Sequence, residues 1–403
     1  MSDSGIIAAP IVASSAAPVP YFFDALVLLT AAVLIVTALN RLRVSPVLGH
    51  LIAGLVVGPG ALGLIDDVSA IHALSELGVV LLLFLIGLEL PFERLRTMRR
   101  LVFGLGGAQV LFSTLTIGAV AWAWGNEPAI AYLLGGCFAL SSTATVIQIL
   151  VERGELASRA GRGAFGVLLF QDLAAIPLLF SVALLGQWDS ATSVDLGVMI
   201  AKIVLGLLLI VLLGRYVLRW PFQWIAASRS DELFVAFNLL VVLGTAAVAD
   251  LFGLPMALGA FLAGMLLAES EFRHQVESDL KPFKGLLIGL FFMAVGMTLE
   301  PARLGSQLPV VLAAALGLAV IKTGILVALG RVFALPAAVS VRIGVLLGQG
   351  GEFAFVAVAA AQAAGLLEQA LAQFMLAVTA VSMLLTPGQA ALGAWLGRRL
   401  ERL

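Results

Sequence analysis

Four short polar stretches interrupt an otherwise apolar chain. "LLFQDLAAIPLL" puts Gln171 and Asp172 near the middle of a run long enough to cross a bilayer. "ALSSTATVIQ" gathers Ser141, Ser142, Thr143 and Thr145, "LLGQGGEFAF" combines Gln349, Gly350, Gly351 and Glu352, and "AVIKTGI" carries Lys322. A charge at the bilayer centre costs about 2.5 to 3.5 kcal/mol on insertion scales, so each such group calls for a function or a partner. Two carboxylates and one ammonium, if they converge, leave one net negative charge, which suits one monovalent cation or one proton. Burial penalises the charged form of a carboxylate, so the same oxygens can hold either a proton or a dehydrated cation. Competition at one site that opens alternately to each side gives obligatory exchange. Lys322 could pair with Asp172 or Glu352 when no cation is bound, or act as a structural counter-charge, and the structural and electrostatic role is the one expected. Oxygen donors suit a hard cation without separating potassium from sodium.

Those groups need elements to hold them. Gly348, Gly350 and Gly351 weaken a helix and permit unwinding. Two helices broken at the midplane would aim half-helix N-termini and free carbonyls at a cation. Glu352 could instead stabilise those dipoles, and the Ser/Thr cluster is equally open to ordinary helix–helix hydrogen bonding.

The rest of the chain is built to surround such a site with hydrocarbon. Of 403 residues, 61% are hydrophobic and 12% charged, and the mean hydropathy is +1.10, far from the composition of soluble domains. An all-α polytopic membrane protein is expected. Its thirteen transmembrane helices are placed at 21–39, 46–64, 72–91, 101–124, 129–151, 163–186, 195–218, 231–251, 254–269, 284–299, 309–329, 340–364 and 369–392. All Lys and Arg except Lys202, Arg303 and Lys322 fall in loops after odd-numbered helices, at the helix ends that flank those loops, or beyond the last helix, which predicts an outside N-terminus and a cytoplasmic C-terminus. Residues 1–20 have neither a basic n-region nor a long apolar core, so they are read as a mobile tail rather than a signal peptide. The net charge of −1 gives no reason to expect nucleic acid, and a single cysteine, Cys137, excludes an intrachain disulfide. No cofactor is expected.

An internal repeat organises the helices. "PVLGHLIAGLVVGP" (46–59) matches "PMALGAFLAGMLLA" (255–268) at Leu48, Gly49, Ala53 and Gly54 against Leu258, Gly259, Ala263 and Gly264. "FLIGLELPFERL" (84–95) matches "MAVGMTLEPARL" (293–304) at Gly87, Leu90, Arg94 and Leu95 against Gly296, Leu299, Arg303 and Leu304. Helices 1–6 and 8–13 then form an inverted pair joined by helix 7, the pattern of secondary transporters.

With these motifs in place, the chain resembles the Kef-type, glutathione-gated potassium efflux branch of the monovalent cation:proton antiporter-2 family. The resemblance covers nearly all of 21–395 and is carried by "SPVLGHLIAGLVVGP", "ELGVVLLLFLIGLEL", "ALSSTAT", "LLFQDLAAIPLL", "MALGAFLAGMLLAESEFRH", "ESDLKPFKGLLIGLFFMAVGM" and "LLGQGGEFAFV". It implies potassium–proton exchange in the inner membrane. A core transport domain (101–186 and 309–392) would move against a dimerisation domain (21–92 and 231–299), with 195–218 as linker and 393–403 as a cytoplasmic end. It implies that Asp172 carries potassium or the proton, with Gln171 beside it where sodium-exchanging relatives usually have Asn or a second Asp. Ser141, Ser142, Thr143 and Thr145 would line the first crossover, and Gln349, Gly350, Gly351, Glu352 and Lys322 would form the second and its electrostatics. The loop 269–285 resembles the Kef regulatory loop, which implies that Glu277 and Asp279 meet a cytosolic nucleotide-binding gating domain or ancillary subunit. No Gly-x-Gly-x-x-Gly after a strand occurs in this sequence, so glutathione and nucleotide control are not carried over. A homodimer and lipid contacts are implied. Three alternatives stay open: a sodium/proton antiporter, a channel-like potassium pathway, and a non-transporting membrane sensor.

Overall fold

The computed structural model describes residues 22–41, 45–65, 69–90, 96–188, 193–214, 219–227 and 230–402. The expected tail lies outside them, as do Arg94 and Leu95 of the second repeat pairing. Every regular element among the described residues is helical. In chain order they are α1 (Phe22–Arg41), α2 (Pro46–Val57), α3 (Ser69–Glu89), α4 (Arg100–Ala123), α5 (Pro128–Glu152), α6 (Arg159–Trp188), α7 (Ser193–Leu212) and α8 (Arg219–Ala227). They continue as α9 (Asp231–Leu251), α10 (Met256–Ala268), α11 (Arg273–Thr298), α12 (Pro301–Val332), α13 (halves Ala337–Leu346 and Phe353–Ala363), α14 (Gln369–Leu384) and α15 (Thr386–Glu401). Six are individually long and apolar enough to cross a membrane, and up to eight spans result if each of two bent pairs counts as one. With the shorter apolar helices between them, they make a polytopic membrane fold.

The repeat is written into the packing. α2 crosses α11 where a methyl group on Gly54 would collide with the Met293 backbone and one on Gly296 with the Leu51 carbonyl. α3 crosses α10 where Gly87 and Gly264 stand in the same relation to the Phe261 and Phe84 carbonyls. Gly54 and Gly264 are repeat partners, and so are Gly87 and Gly296. One close crossing therefore occurs twice, related by the inversion, because only glycine lets two backbones approach so closely.

α2 ends at Val57 rather than 64 and α8 stands where no helix was expected; three further boundaries also differ from the sequence reading. Residues 269–285, expected as a loop, are helical from Arg273. Val276 and Leu280, one turn apart and fully buried, pack into the cluster around Phe222 and Phe234, which makes the polar stretch an amphipathic helix. Pro282 is accommodated close to a 47° bend in α11. α12 begins at Pro301 rather than 309 because proline suits the first turn, where its missing N–H is not needed. The expected last helix breaks by 49° between α14 and α15, next to Pro387.

Candidate ion site at the crossed helices

α5 and α13 both stop and restart in mid-molecule. In α5 the first half ends at Ala139, Leu140 turns extended, and the second half starts at Thr143 under an N-cap from Ser142, whose Oγ accepts from the Thr145 N–H at 3.3 Å. In α13 the chain leaves the helix after Leu346 and re-enters at Phe353 through Gly348, Gly350 and Gly351. The two breaks touch. A Cβ at Gly351 would lie 2.6 Å from the Ser141 carbonyl carbon and 2.9 Å from the Ser142 nitrogen.

Four helix ends meet there, and two buried charges are matched to them. Lys322, fully buried on α12, donates to the Leu140 carbonyl at 3.1 Å, the Gln349 carbonyl at 2.6 Å and Ser141 Oγ at 2.8 Å. The ammonium thus sits at the negative C-terminal ends of both first halves. Among the described residues Lys322 makes no ion pair with either carboxylate; its bonds to the carbonyls take the place of the pairing with Asp172 or Glu352 weighed from the sequence. Glu352, the N-cap residue of the second half of α13, faces the N–H groups of Thr143 and Ala144 and the Ser142 hydroxyl, the positive start of the second half of α5. Its Oε2 has no hydrogen-bond partner.

Asp172 is left uncommitted. It lies on α6, 8% exposed, and Oδ1 accepts one hydrogen bond, from Thr143 Oγ1 at 2.9 Å. Among the described residues no ion pair reaches it, and the nearby charges felt there are two further carboxylates, Glu352 and Glu89. Of the four predicted hydroxyls, only that of Thr143 touches Asp172. Ser141 Oγ donates to the Leu347 carbonyl at 2.9 Å, and Ser142 and Thr145 bond one another at 2.9 Å. Gln171 turns inward and accepts the Ser141 N–H at 2.8 Å. Gln349 is fully buried with neither amide atom hydrogen-bonded, while Gly350 N donates to Ser382 Oγ at 2.9 Å. Sequence reasoning missed Ser382, Gln109 and Ser113, all buried polar groups inside apolar runs. That is the same signal that singled out Asp172.

An exposed polar stripe and a cavity lie toward opposite ends of the bundle. Ala144, Gln148 and Glu152 form an exposed stripe on the second half of α5, running from Thr143 to the arginine-rich end of the bundle. At the other end a cavity of about 750 Å³ enters between α3, α6, α9–α11, α13 and α14, with Glu76 and Asp250 among its lining and Phe291 and Phe355 within it. Asp172 does not line that cavity. Phe292 of α11 packs edge-on against Phe355 of α13, with ring centroids 5.6 Å apart. Glu277 and Asp279 lie half-buried on α11, where Asp279 accepts from Asn238 at 3.5 Å, outside the group around Asp172.

Residues 27–391 match the sodium/hydrogen exchanger, transmembrane, family. The chain belongs to that family. Its relatives within the exchanger family include K(+) efflux antiporter 1, chloroplastic, of Arabidopsis thaliana, 45% identical over 94% of this chain and 32% of the relative. The glutathione-regulated potassium-efflux system protein KefC of Escherichia coli is 44% identical over 90% of this chain and 59% of the relative. The chain therefore spans between about a third and three fifths of these relatives. The sodium proton antiporter MjNhaP1 of Methanocaldococcus jannaschii has the same fold at 16% identity, with a TM-score of 0.64 over 93% of this chain and 97% of the antiporter. The Kef-type resemblance read from the motifs is in accord with these relatives.

Proposed function

We propose that this exchanger-family chain is the membrane transport unit of a potassium–proton antiporter, exchanging one potassium ion for one proton at Asp172. The observation that carries it is the division of labour among the three buried charges. Lys322 is held by acceptors at both breaks and Glu352 lies at the start of the second half of α5, whereas Asp172 lies on the neighbouring helix with Thr143 as its hydroxyl partner, the carboxylate best placed to exchange one ion for the other. Ser141, Ser142, Thr145 and Gln171 shape the crossover that offers backbone carbonyls to the cation, and Gln349, Gly350 and Gly351 do so on the facing break. Potassium is favoured by the names of the relatives.

The transport cycle we read places the exposed stripe and the cavity on opposite sides of the membrane. α4–α6 and α12–α15 form the moving core, α1–α3 and α9–α11 the dimerisation scaffold of a homodimer, and α7 the linker. The arginine-rich end, with the C-terminus, faces the cytoplasm of a cell whose inner membrane holds the protein, and the N-terminus faces outward. The stripe of Ala144, Gln148 and Glu152 would be the cytoplasmic approach to Asp172, while the outer cavity is lined by Phe291 and by Phe355, which packs against Phe292. Glu277 and Asp279 face a cytosolic gating domain. The chain is a transporter and not an enzyme.

The test uses purified protein in liposomes with an internal pH dye. A potassium gradient should drive proton flux, Asp172→Asn should abolish it, and sodium should substitute poorly. Unchanged flux in that variant sinks the mechanism. Equal flux with sodium selects the sodium/proton reading, and potassium flux without proton flux selects a channel. Potassium-dependent thermal stabilisation with no flux selects a sensor.

A further inference from the structure

The break in α5 is clamped by a pair of buried amides whose second member has no assigned role. Gln109 lies on α4, fully buried, in the apolar run "GLGGAQVLF". Its Nε2 donates to the Ala139 carbonyl and to Ser113 Oγ, both at 3.0 Å. Its Oε1 accepts from Gln171 Nε2 at 2.7 Å, and Gln171 Oε1 accepts the Ser141 N–H at 2.8 Å. Gln171 Nε2 also lies 3.3 Å from the Ala139 carbonyl. The chain of bonds leaves the last residue of one half-helix, passes through two side chains and returns to the break itself.

Its polarity is forced at both ends. A backbone N–H can only donate and a carbonyl can only accept, so neither amide can flip without opposing two like groups. The Gln171 nitrogen therefore faces three acceptors, Gln109 Oε1, the Ala139 carbonyl and, at 3.4 Å, Ser141 Oγ. A carboxylate at 171 would be repelled by the Gln109 oxygen and the Ala139 carbonyl.

We infer that Gln109 is a positioning residue for exchange, which orients Gln171 so that the position beside Asp172 must be a neutral donor and the first break keeps its geometry toward the ion. The inference rests on the exchange reading above. It assigns Gln109 no contact with the ion; its action passes through Gln171 to Ser141 and onward to Thr143, two residues along.

The informative variant is Gln109→Glu. A protonated carboxyl has one donor and one acceptor, as the amide does here, and can bridge the Ala139 carbonyl and Gln171 Nε2. The ionised form offers only acceptors. In proteoliposomes the ratio of variant to wild-type exchange should approach one at the acid end of the assay range. It should fall roughly ten-fold toward the alkaline end, the scale of one or two buried hydrogen bonds, chiefly through a raised apparent KM for potassium. Gln109→Leu should show the raised KM at every pH. A Gln109→Glu variant whose pH profile and KM match wild type overturns the inference, whether or not Gln109→Leu folds. So does a Gln109→Leu variant that loses stability while its remaining active fraction keeps the wild-type KM. Absence of exchange in wild type itself strikes at the exchange reading instead. In that case the melting temperature of Gln109→Glu relative to wild type still reports on the clamp, since it should drop only as pH rises.

Discussion

Asp172 and Thr143 meet because a break in one helix turns its restarting N-terminus toward the middle of another. The hydroxyl then gives a hydrogen bond to a carboxylate that has no other hydrogen-bonding side chain against it among the described residues. Hydrogen bonds to charged groups contribute about 1.5 to 3 kcal/mol, and about 1.4 kcal/mol is ten-fold in affinity. Thr143→Val is therefore expected to raise the apparent KM for potassium by roughly ten-fold or more, and Thr143→Ser to restore it, as read by potassium titration in proteoliposomes. Thr145→Val should raise that KM less, because its hydroxyl bonds Ser142 at the break and not Asp172.

At the scale of elements, the crossing of α5 and α13 is an electrostatic construction. Four helix ends that would repel or stay unsatisfied are balanced by one ammonium and one carboxylate. Lys322→Met leaves the Leu140 and Gln349 carbonyls buried without their donor. Each such group costs about 1 to 3 kcal/mol, so the melting temperature of the solubilised protein should fall by several degrees even where exchange is not assayed. Gly351→Ala attacks the same crossing sterically. Its added carbon would lie 2.7 Å from the Ser141 oxygen, and backbone cannot yield as a flexible side chain does. Loss of both stability and exchange is expected, with overpacking costs of about 1 to 3 kcal/mol or more. Had α5 and α13 been continuous helices held only by lipid-like packing, neither substitution would matter much.

For the whole molecule, contacts divide according to end. Arg342 pairs with Glu155 at 2.7 Å and Arg153 donates to the Ala390 carbonyl at 3.0 Å, which ties α13 and α15 to the end of α5. At the opposite end Gln373 of α14 donates to the Thr298 carbonyl at 3.1 Å and to Glu300 at 3.2 Å, a polar bridge next to the cavity. The first set should persist through a transport cycle and the second should break and re-form. Cys137 is the single cysteine and is buried, so introduced cysteines report alone. Gln148→Cys should react with a membrane-impermeant thiol reagent applied from the arginine-rich face, and Ala360→Cys, which lines the cavity, from the opposite face. Reaction of both from one face overturns the two-sided arrangement.

Much of this was legible in the sequence because the bilayer leaves a chain few options. Apolar length specifies helices, loop arginines give their alternation, and Asp172, Lys322 and Glu352 stand out since a charge in hydrocarbon demands a reason. The repeat pairing of Gly54 with Gly264 and Gly87 with Gly296 anticipated the two equivalent crossings. What the one-dimensional pattern leaves open is partnership. Lys322 has three acceptors only where two breaks converge from residues 140 and 349, and no spacing rule connects positions so far apart. Segment 273–283 reads as a polar loop until Phe222 and Phe234 are brought against Val276 and Leu280. Gln171 next to Asp172 in sequence suggests a shared site, yet adjacent residues on a helix point about 100° apart. Tertiary packing sends the amide into the clamp with Gln109 and leaves the carboxylate facing Thr143. Burial and periodicity are local properties and belong to the sequence; which buried polar group satisfies which is a property of the assembled bundle.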